Sequence, residues 1–341
     1  MFCGGSRLLA WICDGGFWLA FRRAEILSLP SGFGRGTVER GRFLRGCLLS
    51  LSGAALWGLS GACAQMLFTD YGAIPAFVTG FRTLATGLLF LALILVRSRH
   101  KLKQLLAAPR DMGWFALFGL GLFGSQFFFA FSVAATDAGT ACVLQMLNSV
   151  FVLAFVCAAT CKAPTLREGA GLALALAATV LIATQGSFSS LAISPAGLGW
   201  GLANALAVAV YIVVPRQVGL FQRYGSLFSV GIAMLLAALP ANGAMAVQAA
   251  ADPSVFGCVA AFDGRAWLVL VAGVTLLGTF AAFALYLTGI AKAGSVAGSL
   301  LGAAEPVSAS AIAALWLGTA FTGWDWGGLA LMLAMLACMT V

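Results

Sequence analysis

Charged side chains are scarce in this chain. Asp, Glu, Lys and Arg together make up 9% of its 341 residues, against 62% hydrophobic. A water-soluble domain is closer to a quarter charged, so there is too little polar surface here to coat a globule. Histidine occurs once, as His100 in a basic stretch. That excludes an HExxH zinc helix, a histidine-activated nucleophile and any multi-histidine metal site. No lysine follows a glycine, so the phosphate-cradling GxxxxGK loop of an ATPase is missing too. Nine cysteines stand at 3, 13, 47, 63, 142, 157, 161, 258 and 338, never as CxxC. Odd in number and set mostly in apolar runs, they read as small apolar side chains, not as a disulfide framework. No metal or cofactor is expected.

What the chain has is a regular series of long apolar runs. A helix crossing a bilayer needs about 20 apolar residues, and ten such helices are expected. The first five fall near 46–68, 75–96, 112–132, 138–160 and 168–186. The second five fall near 196–215, 226–247, 266–287, 293–317 and 324–341. The expected fold is therefore all-α and integral to a membrane. The 42 glycines sit inside these runs, where small residues let membrane helices pack closely. Residues 1–45 differ. Leu8 to Phe21 is apolar but broken by Asp14, Gly15 and Gly16, and it lacks the small-residue cleavage pattern of a signal peptide. Residues 22–45 are rich in Arg and Gly. The whole stretch reads as a poorly ordered cytoplasmic tail, with a start near Val38 as the alternative.

Net charge is +8, yet the basic residues lie between apolar runs and not in stripes interleaved with aromatics. This is a signal of topology, and nucleic acid is not an expected partner. With the N-terminus inside, the inside segments are the tail, 97–111, 162–167, 216–223 and Lys292. They hold every Lys and Arg except Arg82 and Arg265. Asp70, Asp137, Asp252, Asp263 and Asp325 fall outside or at its edge. The positive-inside rule then gives a multi-pass protein of the cell (inner or plasma) membrane with both termini in the cytoplasm. The two halves also resemble each other. Aligning Asn148 with Pro306 pairs Ala135 with Ala293 and Gly169 with Gly327, and Trp57 matches Tyr211. Residues 46–186 and 196–341 would each hold five helices. An odd number turns the second repeat upside down, which is a physical route to alternating access.

The stretch Phe283 to Val341 carries the clearest family features: Tyr286 and Ala291 at a helix end, Glu305-Pro306 in a small-residue helix, Leu317-Gly318 at a turn, and Gly327 in a glycine-rich last helix. It resembles the C-terminal end of the drug/metabolite transporter superfamily, in particular its EamA-type families. Trp57 and Arg82 are the landmarks of the first half, so the resemblance covers nearly everything but the tail. Asn148 stands where the family usually has proline, and Cys161-Lys162 and Thr319-Ala320 replace its Gly-Glu; these departures bear on the subfamily, not the architecture. The resemblance implies a ten-helix transporter with inverted repeats, carrying amino acids, other small metabolites or amphipathic organic compounds, with export favoured.

Two ionisable groups stand at depth. Arg82 lies about 10 Å below the outer end of the second helix at 1.5 Å per residue. A charge there is costly unless paired or hydrated, which makes it a functional candidate. It would attract a carboxylate, or else snorkel outward or tie two helices together. Glu305 is the carboxylate placed nearest the middle of a helix. It would take up and release a proton, neutralise Arg82, or bind backbone groups left unpaired by Pro306. Gln126, Gln145, Asn148 and Tyr211, with Gln65 and Asn204, offer the few donors and acceptors that a polar site among apolar walls needs. Trp57 and Tyr286, with Phe81, Phe127 and Phe128, are candidate walls. Gln145 and Asn148, three apart, would share a helix face. Gly294, Gly298 and Gly302 form two successive GxxxG spacings, a groove for another helix of this chain or of a second copy in a homodimer. The expected function is a secondary-active transporter of a small molecule, not an enzyme. A channel or lipid-facing flippase is the alternative; a channel should show a polar stripe along several helices, whereas these polar residues are scattered singly.

Overall fold

Each apolar run becomes a helix whose ends are set by local chemistry. A computed structural model of the chain describes residues 37–160, 163–186, 192–294 and 301–340. In chain order these form α1 (Thr37–Tyr71), α2 (Pro75–Arg97), α3 (Arg99–Leu106), α4 (Pro109–Ala135), α5 (Ala138–Gln145) and α6 (Asn148–Thr160). Then come α7 (Leu166–Thr184), α8 (Pro195–Gln217), α9 (Leu220–Tyr224), α10 (Ser226–Ala251), α11 (Gly264–Ala293), α12 (Ala304–Trp316) and α13 (Gly323–Thr340). No strand occurs among the described residues. Pro75, Pro109 and Pro195 open their helices, where the missing N–H costs nothing. Asp137, Ser194 and Asp263 cap theirs by accepting a backbone N–H. Thr165 and Glu168 form a reciprocal capping box.

Among the described residues, eight helices are long and apolar enough to cross a membrane: α1 from Arg40, α2, α4, α5 with the start of α6, α7, α8, α10 and α11. They coincide with the first eight expected runs. The last two expected spans are represented by α12, with 13 residues, and by an apolar stretch Gly323–Cys338 in α13. α1 begins at Thr37, so the end of the expected tail is the start of the first helix. Residues 1–36, Cys161-Lys162 and Gly298 lie outside the described residues.

Three elements differ from expectation. The fourth helix is not continuous over 138–160. It breaks at Met146-Leu147, where the N–H groups of Met146, Leu147, Ser149 and Val150 donate to carbonyls three residues back. Gly294 is not on a helix face: at φ +90° it terminates α11, a conformation that glycine adopts without steric penalty. The expected GxxxG groove therefore does not run through it. Lastly, α11 contains a wide π-helical segment over Val269–Ala281. There the Thr275 and Thr279 hydroxyls donate to the carbonyls of Leu270 and Val274, five residues back, at 2.9 and 2.7 Å.

In the bundle α1 packs against α11 and α12, α4 against α8 and α10, α2 against α10, and α7 against α13. Close approach by small residues falls on α1 and α11. A Cβ on Gly53 would lie 2.7 Å from the Tyr286 N and 2.8 Å from the Ala282 carbonyl oxygen. One end of the bundle is filled by Phe90, Phe115, Phe118, Tyr224 and Phe228, the other by Met66, Leu67, Phe77, Val78 and Leu270. Leu88, Val96, Leu120 and Leu239 point outward, the apolar coat that a bilayer-spanning bundle presents to lipid.

Candidate functional site

Midway along the bundle, polar side chains from six helices converge on a cavity of about 40 Å³. Trp57 and Ser60 reach it from α1, Arg82 from α2, and Ser125, Gln126 and Phe129 from α4. Gln145 closes α5, Val208 and Tyr211 come from α8, Gly278 and Phe283 from α11, and Glu305 from the first turn of α12. A water needs roughly 10–15 Å³ of such space, whereas small-molecule pockets run to about 300–1,000 Å³. The cavity's volume corresponds to a few waters at most. A metabolite would require the walls to part.

A hydrogen-bond chain crosses three elements here. Asn204 Nδ2 donates to Gln145 Oε1 at 3.0 Å, and Gln145 Nε2 donates to Glu305 Oε1 at 2.9 Å. The break after α5 makes this geometry. It ends the helix at Gln145, and the Asn148 amide takes over the freed Gln145 carbonyl at 2.7 Å. On the facing wall polarity goes unanswered. Arg82 is 5% exposed, and its Nε, like Gln126 Oε1, Ser60 Oγ and Asn204 Oδ1, is buried without a hydrogen-bond partner. Arg82 and Glu305 share the cavity without closing into an ion pair. Buried groups of this kind are costly unless satisfied.

Of the residues singled out from sequence, Arg82, Glu305, Gln145, Gln126, Trp57 and Tyr211 meet at the cavity. Asn148 opens α6 and does not line the cavity; its amide bonds the Gln145 carbonyl where α5 ends. Tyr286 stands one layer out, its ring 4.7 Å from that of Trp57. A Cβ on Gly302 would meet the Tyr286 hydroxyl at 2.8 Å. Gln65 serves elsewhere, bonding Thr319 and the Ala138 N–H. Phe127 and Phe128 stack in a cluster with Phe131 and Trp200, and Phe81 packs with Phe77 and Trp267; none of the three lines the cavity. Ser60, Ser125, Phe129, Val208, Gly278 and Phe283 were not foreseen. Nothing distinguishes these from the other small and apolar residues of their runs.

A bundle of apolar helices closed around a polar cavity, with a broken helix in its wall, has the architecture of a membrane transporter. The chain belongs to the EamA-like transporter family, which it matches twice, over residues 44–184 and 195–341. It is 31% identical over 291 residues to the uncharacterized inner membrane transporter YicL of Salmonella typhimurium (strain LT2), covering 85% of this chain and 93% of that protein. A solved crystal structure, described only as that of a protein, shares the fold at 23% identity and a TM-score of 0.57. It covers 86% of this chain and 95% of its own.

Proposed function

We propose that this chain is a secondary-active exporter of small metabolites working by alternating access. It crosses the membrane ten times, in two inverted five-helix repeats at 46–186 and 196–341. The twofold family match and the helix breaks before Asn148 and Pro306, residues that align between the halves, support the repeat. The name of the Salmonella relative supports an inner-membrane location, and the clustering of basic residues supports cytoplasmic termini. The observation that carries the reading is that Arg82 and Glu305 face one buried cavity without forming a direct ion pair. Such a pair can hold a substrate with a carboxylate and an amine, as an amino acid has, while Trp57, Phe129 and Phe283 accommodate an apolar portion. Glu305 is the group that takes up and releases a proton as the two faces alternate.

The test compares solutes inside and outside cells expressing the protein with those of cells expressing Glu305→Ala at equal membrane levels. A solute that accumulates outside only with the intact protein identifies export and its class. In vesicles, Glu305→Gln is expected to lose gradient-driven transport while retaining substrate exchange. Loss of both would leave Glu305 a structural residue.

A further inference from the structure

Both ends of the bundle are fastened by the same pair of residue types. At one end Tyr224 Oη donates to Asp111 Oδ2 at 2.8 Å. At the other, Tyr71 Oη donates to Asp263 Oδ1 at 2.9 Å. Each pair joins the first half of the chain to the second, with the roles exchanged. Asp111 lies in the first turn of α4 and Asp263 caps α11. Both carboxylates therefore sit at helix N-termini, which favour negative charge. Tyr224 comes just before α10 opens at Ser226, and Tyr71 just before α2 opens at Pro75. Under the five-helix repeat α2 corresponds to α10 and α4 to α11, so the two fastenings occupy equivalent places in inverted halves.

We propose that these are paired latches, one per face, and that transport alternates by releasing one while the other stays fastened. This rests on the alternating-access reading above. The fastening of both ends accounts for a cavity too small for a metabolite. The latches are unequal. Tyr224 and Asp111 are 1% and 8% exposed. Arg223 Nη1 adds an ion pair to Asp111 Oδ1 at 3.0 Å, and Lys101 Nζ donates to the Tyr224 carbonyl at 2.7 Å. The Tyr71–Asp263 bond is exposed, and water competes for it. The Asp111 end is therefore held the more firmly.

Hydrogen–deuterium exchange of the full-length chain in lipid nanodiscs, without substrate, tests the proposal. Tyr224→Phe should speed exchange about tenfold in the peptides opening α4 and α10 and slow it in those opening α2 and α11. Tyr71→Phe should give the mirror pattern, with a smaller amplitude. Asp111→Asn, which keeps an acceptor for Tyr224 but loses the Arg223 ion pair, should resemble Tyr224→Phe and substitutes for it if that variant misfolds. Faster exchange at the mutated end with no slowing at the other would make the pair a strut and overturn the proposal. So would equal effects at both ends, or none. Because no solute is involved, failure of the latches is distinguishable from failure to find transport.

Discussion

Arg82 and Glu305 face one cavity without forming a direct ion pair. Arginine presents a planar fork that binds a carboxylate through two parallel hydrogen bonds, which lysine cannot reproduce. Arg82→Lys is therefore expected to raise the half-saturating concentration of carboxylate-bearing substrates about tenfold, the size of one charge-assisted hydrogen bond, and to leave amines without a carboxylate nearly unchanged. Competition assays with both classes in vesicles check this; an equal loss for both would contradict a carboxylate-binding role. These two residues stand out in the sequence because a charge inside an apolar run is anomalous and costly. Ser60 and Gly278 were invisible for the opposite reason. Small residues are everywhere in such helices, and only the folded packing selects the ones that reach the cavity.

Among the elements, the break between α5 and α6 decides where Gln145 ends up. Asn148 makes the break tolerable by bonding the Gln145 carbonyl at 2.7 Å. Asn148→Leu would leave that carbonyl without its partner, at a cost of about 1–3 kcal/mol. The midpoint of thermal unfolding in detergent should fall accordingly, and an unchanged midpoint would show that the cap contributes nothing. Apolar periodicity did not reveal the break, because the runs before Gln145 and after Asn148 both remain apolar and only the hydrogen-bond register changes. Gly294 misled for a related reason. Its spacing from Gly298 and Gly302 suits a helix face, but spacing cannot distinguish a glycine that packs from one that ends a helix. Glycines that bring backbones together include Gly46, Gly53 and Gly289 between α1 and α11, and Gly58 between α1 and α12.

At the scale of the molecule, eight spans were readable from length and apolarity alone. The regular alternation of basic and acidic segments was readable too, because a membrane makes both conditions severe. The fastening of the two ends was not, since Tyr71 and Asp263 lie 192 residues apart. The exposed end should respond to acid. The Ala266 N–H and the Tyr71 hydroxyl hold the Asp263 carboxyl below its ordinary value of 3.8. Arg265 beside it acts in the same direction, and Asp70 is the other charged group near Tyr71. A lowered folded value means that stabilisation is present above the ordinary value and is lost as pH falls through the folded one. The difference in thermal midpoint between the wild-type chain and Tyr71→Phe should therefore be present at neutral pH and close in strong acid. A difference that persists there would exclude ionised Asp263 as its source.

The wide winding of α11 bears on how such a bundle could move. Between the turns that carry Thr275 and Thr279 and the cavity wall at Phe283 there is no loop, only helix. Rewinding a wide turn into a tighter one would pivot everything beyond it by roughly 100° for each residue of register taken up. Phe283, Tyr286 and Gly289 would swing together around the helix axis against α1. Such a segment would act as a screw thread: a small change of pitch on one side of the cavity would become a rotation of side chains on the other, with no hinge and no broken backbone.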